Sequence, residues 1–122
     1  MRRCFLLFAL FVGGLYYGWV WAFNKDGVLH FLDTHRRWRK DWAYYGLAYT
    51  YATLNHQSKA EELYSRVVNN FPNSRYREDS LYQEAFSIDQ RAGRNKAREK
   101  YQQYLKDYPH GRYANTVSNA VD

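Results

Sequence analysis

Cysteine occurs once among the 122 residues, as Cys4, and proline twice, as Pro72 and Pro109. One thiol closes no intrachain disulfide and builds no multi-cysteine metal site. No glycine-rich loop is present to cradle a phosphate, no lipobox precedes Cys4, and no glycine follows Met1, so acylation has no support. Nor does any segment alternate apolar and polar residues as a strand would, which predicts an all-α fold. What the chain has in excess is aromatic surface: 13 Tyr, 4 Trp and 7 Phe. With 46% hydrophobic and 25% charged residues it is a foldable mixture, and disorder is excluded.

The formal charge of +6 invites a polyanionic partner, yet its position argues otherwise. Residues 1–40 carry Arg2, Arg3, Lys25, Arg36, Arg37, Arg39 and Lys40 against Asp26 and Asp33, so residues 41–122 are nearly neutral. With no recognition motif in addition, nucleic acid is not an expected partner.

From Cys4 to Phe23 runs an uncharged stretch, CFLLFALFVGGLYYGWVWAF, with Arg2 and Arg3 before it. As a helix it spans roughly 30 Å, the thickness of a bilayer core, and Tyr16, Tyr17, Trp19 and Trp21 crowd the end where rings favour the headgroup level. A retained transmembrane anchor over residues 1–27 is therefore expected. A cleaved signal peptide ending near Val20-Trp21-Ala22 is the competing reading, disfavoured because the apolar run exceeds the usual span of about 7 to 15 residues. Gly14, Gly18 and Ala22 recur every fourth residue, which would let a second helix approach closely, or reflect only the frequency of small residues in such helices. Arg2 and Arg3 hold the start inside, Lys25 and the cluster Arg36, Arg37, Arg39 and Lys40 pull the other way, and the reading adopted is N-inside. Those cations, with Arg2 and Arg3, are candidate contacts for an anionic headgroup surface, or else a solvated helix face.

A shift of 37 residues superimposes 45–76 on 82–113 with nine identities, among them Tyr45/Tyr82, Ala48/Ala85, Ala60/Ala97, Tyr64/Tyr101, Pro72/Pro109, Arg75/Arg112 and Tyr76/Tyr113. Each unit reads as two helices and a turn. Helices are expected over 34–54, over 58–70 with Ser58 and Glu61 as a capping box, over 75–92 with Gly93 in the left-handed position that ends it, from a cap at Asn95 to Pro109, and from about Arg112 onward.

These residues resemble the tetratricopeptide repeat. Tyr44, Leu47, Ala48, Tyr51, Ala60, Tyr64, Val67 and Pro72 fall at the family's signature positions in the first unit. Leu81, Ala85, Ile88, Ala97, Tyr101, Tyr104 and Pro109 do so in the second, where Glu84 stands in place of a leucine. The period of 37 departs from the family's 34, and the Pro-Asn-Ser-Arg-Tyr linkage is similar to the bacterial envelope subgroup, which includes outer-membrane assembly lipoproteins and Tol-associated periplasmic proteins. The resemblance covers residues 38–122 and implies a short α-solenoid over 28–122, with repeats at about 41–74 and 78–111 and a partial third pair at 112–122. It implies that first helices line a groove, here Trp42, Tyr45, Tyr49, Tyr82 and Phe86. The same rings could instead only pack helix on helix. Tyr45 and Tyr49 stand where the family's clamp for a free C-terminus needs lysine and asparagine, which disfavours that ligand.

No catalysis, metal or cofactor is expected: His30, His35, His56 and His110 are scattered, and Asp41, Glu61, Glu62 and Glu84 have basic neighbours and no nucleophile. Two functions remain. One is a membrane-anchored scaffold that binds other proteins, in a bacterial inner membrane with the repeats in the periplasm. The other is an accessory subunit permanently assembled with integral subunits of a respiratory, photosynthetic, secretory or motor complex.

Overall fold

A computed structural model describes the backbone of residues 2–24, 27–34 and 40–122, with the side chains of residues 2–6, 8 and 22–24 outside the description. The described residues form helices α1 (Arg2–Asn24), α2 (Gly27–Thr34), α3 (Asp41–Thr53), α4 (Gln57–Asn70), α5 (Arg77–Ala92), α6 (Arg94–Asp107) and α7 (Ala114–Val121), with no strand among them. The all-α expectation therefore holds. The chain divides into two units, Met1–Arg39 and Lys40–Asp122.

In the first unit α1 runs unbroken for 23 residues, and its described apolar side chains, Leu7, Leu10, Phe11, Leu15, Tyr16, Tyr17, Trp19 and Trp21, are exposed. Among the described residues no helix is long and apolar enough to cross a membrane. The span expected over Cys4–Phe23 falls partly outside the described residues. The side chains of Cys4, Phe5, Leu6, Phe8, Ala22 and Phe23 lie outside the described residues. The short helix α2 was not expected. Leu29 and Leu32 are buried three residues apart, and Gly27 sits so close to the Trp21 indole that a Cβ would come within 2.6 Å of it.

The second unit is a row of antiparallel neighbours, α3 on α4, α4 on α5, α5 on α6 and α6 on α7. Helix α4 buries Ala60, Leu63, Tyr64, Val67 and Val68, the i, i+3, i+4, i+7, i+8 stripe of a helix packed on one side. It meets Tyr44, Leu47, Ala48 and Tyr51 of α3. A second cluster joins Val68 to Leu81, Ala85, Ile88, Ala97, Tyr101, Tyr104 and Val117, so α7 continues the core past the second repeat. Helix α5 has neighbours on both sides and buries Ser80 and Ser87, seven apart. The residues one repeat earlier, Ala43 and Thr50 on α3, are only half-buried, and within the repeat unit α3 packs on α4 alone.

Several expected helix ends move. Residues 35–39 lie outside the described residues, and α3 starts at Asp41. Ser58 falls inside α4, whose N-cap is His56 without a side-chain cap bond, so the Ser58–Glu61 box does not form. The cause lies upstream: Asn55 takes φ 62°, and the amides of His56 and Asn55 donate to the carbonyls of Tyr51 (2.9 Å) and Ala52 (3.1 Å). This closes α3 in a Schellman motif and leaves one residue before α4. Gly93 does end α5 with positive φ, but its ψ of 164° is the mirror-extended region open essentially to glycine alone. It also caps α6, and Asn95 lies inside that helix.

Glu84, at a leucine position of the repeat, is 3% exposed in the core-facing row of α5. Its Oε1 pairs with Lys100 Nζ at 3.0 Å and its Oε2 is buried without a partner. Burial raises the carboxyl above its ordinary value, the Lys100 ammonium opposing this only in part. The folded chain then keeps a proton that the unfolded chain releases, so stability falls as pH rises from about 4 through the raised value. Glu84→Leu is expected to stabilise the domain by about 1–3 kcal/mol at neutral pH, since Lys100 is partly exposed and can turn to water. It should also flatten this slope. Urea midpoints at about pH 5 and about pH 8 check it, and a lower midpoint with an unchanged slope would refute it.

Candidate protein-binding groove

The five rings expected to line the groove separate into two kinds. Trp42, Tyr49 and Phe86 stand 53%, 57% and 39% exposed. Tyr45 and Tyr82 are half-buried and stack on tyrosines of the inter-repeat loops, Tyr45 on Tyr76 at 4.8 Å and Tyr82 on Tyr113 at 4.0 Å and 6°. Both pairs are 31 residues apart, so each repeat builds the same clasp between its first helix and the loop beyond its second.

Asp79, on α5, joins the two clasps. One carboxylate oxygen accepts from the Tyr45 hydroxyl and the other from the Tyr113 hydroxyl. Both hydroxyls titrate above the ordinary tyrosine value, through burial first and then the bond to Asp79. Tyr104, pushed up to about 12 by burial and by its bond to Glu78, accepts from the Tyr113 amide at 2.9 Å. Tyr64 is packed at 6.0 Å edge-on to Tyr45, its hydroxyl buried without a partner.

Two clefts open beside this core of tyrosines. One, of about 370 Å³, is lined by Tyr45, Arg75, Tyr76, Asp79 and Arg112. Arg75 donates to the Tyr76 hydroxyl at 2.6 Å with its guanidinium over that ring. The other, of about 270 Å³, has Tyr82 and Phe86 beside Gln90, Thr116 and Asn119. Its charges, Asp89 and Arg94, are paired with each other at 2.7 Å.

Among the core positions, Tyr44, Leu47, Ala48, Tyr51, Ala60, Tyr64, Ala85, Ala97 and Tyr101 are buried, while Pro72 and Pro109 are exposed in the turns. Lys40 is exposed at the start of α3. Arg36, Arg37 and Arg39, and the side chains of Arg2, Arg3 and Ala22, lie outside the described residues. Gly14 and Gly18 face open space, and a Cβ at either would meet nothing within 4 Å. Among the described residues no group of three His, Cys, Asp or Glu is placed to hold a metal.

Asp79 and the second members of the clasps were missed by sequence reasoning. Their signal was present: Arg75-Tyr76 and Arg112-Tyr113 are identical pairs outside the helices, where repeat-family core packing does not demand them.

A row of antiparallel helix pairs, with aromatic side chains standing open on its first helices, defines an α-solenoid of the protein-binding class. A sequence profile described as tetratricopeptide repeat matches residues 42–74 and 79–111, more than half of the chain, and the chain belongs to that family. No curated protein and no solved structure matches it significantly.

Proposed function

We propose that the chain is a scaffold without catalytic activity that binds a partner protein on the open face of α3 and α5, and that α1 holds it at a membrane. The observation that carries the first part is the exposure of Trp42, Tyr49 and Phe86 in a unit whose other rings are buried or half-buried. Large rigid rings on an open face are the residue type that supplies binding energy in protein interfaces. The anchor is supported by the unbroken length of α1, about 34 Å at 1.5 Å per residue, and by its exposed leucines and aromatics. Arg2 and Arg3 before the apolar run favour an N-inside orientation, which puts the repeats in the periplasm of a bacterial inner membrane, with Arg36, Arg37, Arg39 and Lys40 near the headgroups. The long Pro-Asn-Ser-Arg-Tyr linkage supports the envelope subgroup.

The test is purification of the full chain from membranes in mild detergent, beside Trp42→Ala/Tyr49→Ala/Phe86→Ala. Proteins held by the open face should fall at least about tenfold in the triple variant, which loses three central rings. Unchanged recovery rejects the groove. Extraction of the full chain by alkaline carbonate without detergent rejects the anchor.

A further inference from the structure

Arginines of the repeat unit divide by what they pair with. Arg66, Arg77, Arg91 and Arg94 each form an ion pair, with Glu62, Asp107, Glu61 and Asp89. Arg75, Arg98 and Arg112 form none among the described residues, and of these Arg75 and Arg112 occupy equivalent positions one repeat apart and line the same cleft. Both are exposed. Arg75 is held over Tyr76, and Arg112 lies against Tyr113, so the two guanidiniums are positioned by tyrosines rather than by acids.

Carboxylates are close by, and each is engaged by uncharged donors. Asp41 accepts from Ser74 Oγ at 2.6 Å and from the Trp42 amide at 2.9 Å. Glu78 Oε1 accepts from Tyr104 Oη at 2.8 Å and the Arg112 amide at 2.7 Å. Asp79 is taken by Tyr45 and Tyr113. The cations that reach solvent therefore keep bidentate donor edges for an incoming acid. Beyond them lies the second cleft, where Phe86 offers a ring and Gln90 and Asn119 offer amides able to bond an extended backbone.

We infer that the Arg75/Arg112 cleft reads a side-chain carboxylate, an Asp or Glu within an internal segment of the partner protein, whose neighbouring apolar residue rests on Phe86. This names the partner chemistry of the face proposed above and rests on that reading. A singly charged carboxylate suits the cleft better than a doubly charged phosphate, because the lining sets two guanidiniums against the one carboxylate of Asp79 and so leaves a single positive charge to match. For the same reason recognition is by direct guanidinium contact, not by long-range steering, and its salt dependence is shallow.

The experiment uses the immobilised full chain in detergent and three capped, amidated peptide libraries: random decapeptides with a central Asp/Glu-aromatic-Asp/Glu core, the same with Asn/Gln, and the same with phosphoserine. The acidic library should be retained at least tenfold over the amide library by the wild type, and this preference should vanish in Arg75→Gln/Arg112→Gln. Both side chains are exposed, so the variant keeps its fold, checked by circular dichroism; Arg112→Gln alone gives an intermediate preference. Equal retention of acidic and amide libraries overturns the inference while leaving the binding face standing, as does stronger retention of the phosphoserine library. Retention of no library overturns both.

Discussion

Asp79→Ala is expected to destabilise the repeat unit by about 3 kcal/mol, the loss of two hydrogen bonds to a charged acceptor at roughly 1.5 kcal/mol each. The low end of that range applies because Tyr45 and Tyr113 are half-buried and their freed hydroxyls recover some water. The effect is large for one surface-side substitution because the carboxylate joins the first helices of both repeats to the loop after the second: Tyr45 on α3, Asp79 on α5 and Tyr113 before α7. Asp79→Asn keeps one acceptor and, by turning a tyrosine hydroxyl from donor to acceptor, the second bond, so it should cost only about 1 kcal/mol. Alkaline pH offers an independent reading. Tyr45 and Tyr113 hold their protons above the ordinary value in the folded chain. Their contribution is therefore complete below about pH 10 and is lost as pH rises past it. Phenolate absorbance should appear earlier in Asp79→Ala than in the wild type. Coincident titrations with equal urea midpoints would sink the idea.

Gly111→Ser is expected to cost about 2–3 kcal/mol through overpacking. A Cβ at Gly111 would collide with Glu78 Oε1, come within 2.5 Å of Tyr104 Oη and lie 2.9 Å from Tyr108 Cβ. The position one repeat earlier is a serine, and comparing the two shows why that serine is tolerated. Ser74 Oγ donates to Asp41 at 2.6 Å and accepts from the Tyr76 amide at 3.1 Å. In the second repeat the hydroxyl between acid and amide belongs instead to Tyr104, which donates to Glu78 at 2.8 Å and accepts from the Tyr113 amide at 2.9 Å. Three equivalent positions have changed together: Asp41, Val67 and Ser74 in one repeat, Glu78, Tyr104 and Gly111 in the other. One hydroxyl serves each junction, supplied from the loop in the first and from the helix in the second. Tyr104→Phe should therefore partly rescue Gly111→Ser, because it removes the Tyr104 Oη contact and, as the Glu78 carboxylate shifts, lets the introduced hydroxyl take over both bonds. A double-mutant cycle by urea unfolding should show favourable coupling of at least about 1 kcal/mol. Additive losses would mean that the two junctions are not interchangeable.

Helices were legible because apolar spacing is a local property. The stripe on α4 and the small residues Ala48, Ala60, Ala85 and Ala97 placed the helix pairs, and the two prolines marked the turns. Capping was less legible. Ser58 and Glu61 have the right spacing for a capping box, but the Schellman turn at Asn55 starts α4 earlier and carries Ser58 inside it. The groove was half legible: helical spacing puts Trp42, Tyr45 and Tyr49 on one face, yet Tyr45 is consumed by Tyr76 and Asp79, residues about 30 positions away. In α1 the uncharged run was plain, and its described part, which lacks six of the run's side chains, holds no helix long and apolar enough to cross a membrane.

The sequence by itself determined the all-helical class, the 37-residue repeat, the positions of the paired helices and the concentration of charge before residue 41, because each follows from local composition and periodicity. Only the tertiary structure decided what a given residue faces. Ser80 and Ser87 are sealed while Ala43 and Thr50, at the same places in the repeat, are half open, and Glu84 is buried against Lys100. The physical reason is that burial in a stacked array depends on the neighbours along the row, and within the repeat unit α5 packs between α4 and α6 while α3 packs on α4 alone.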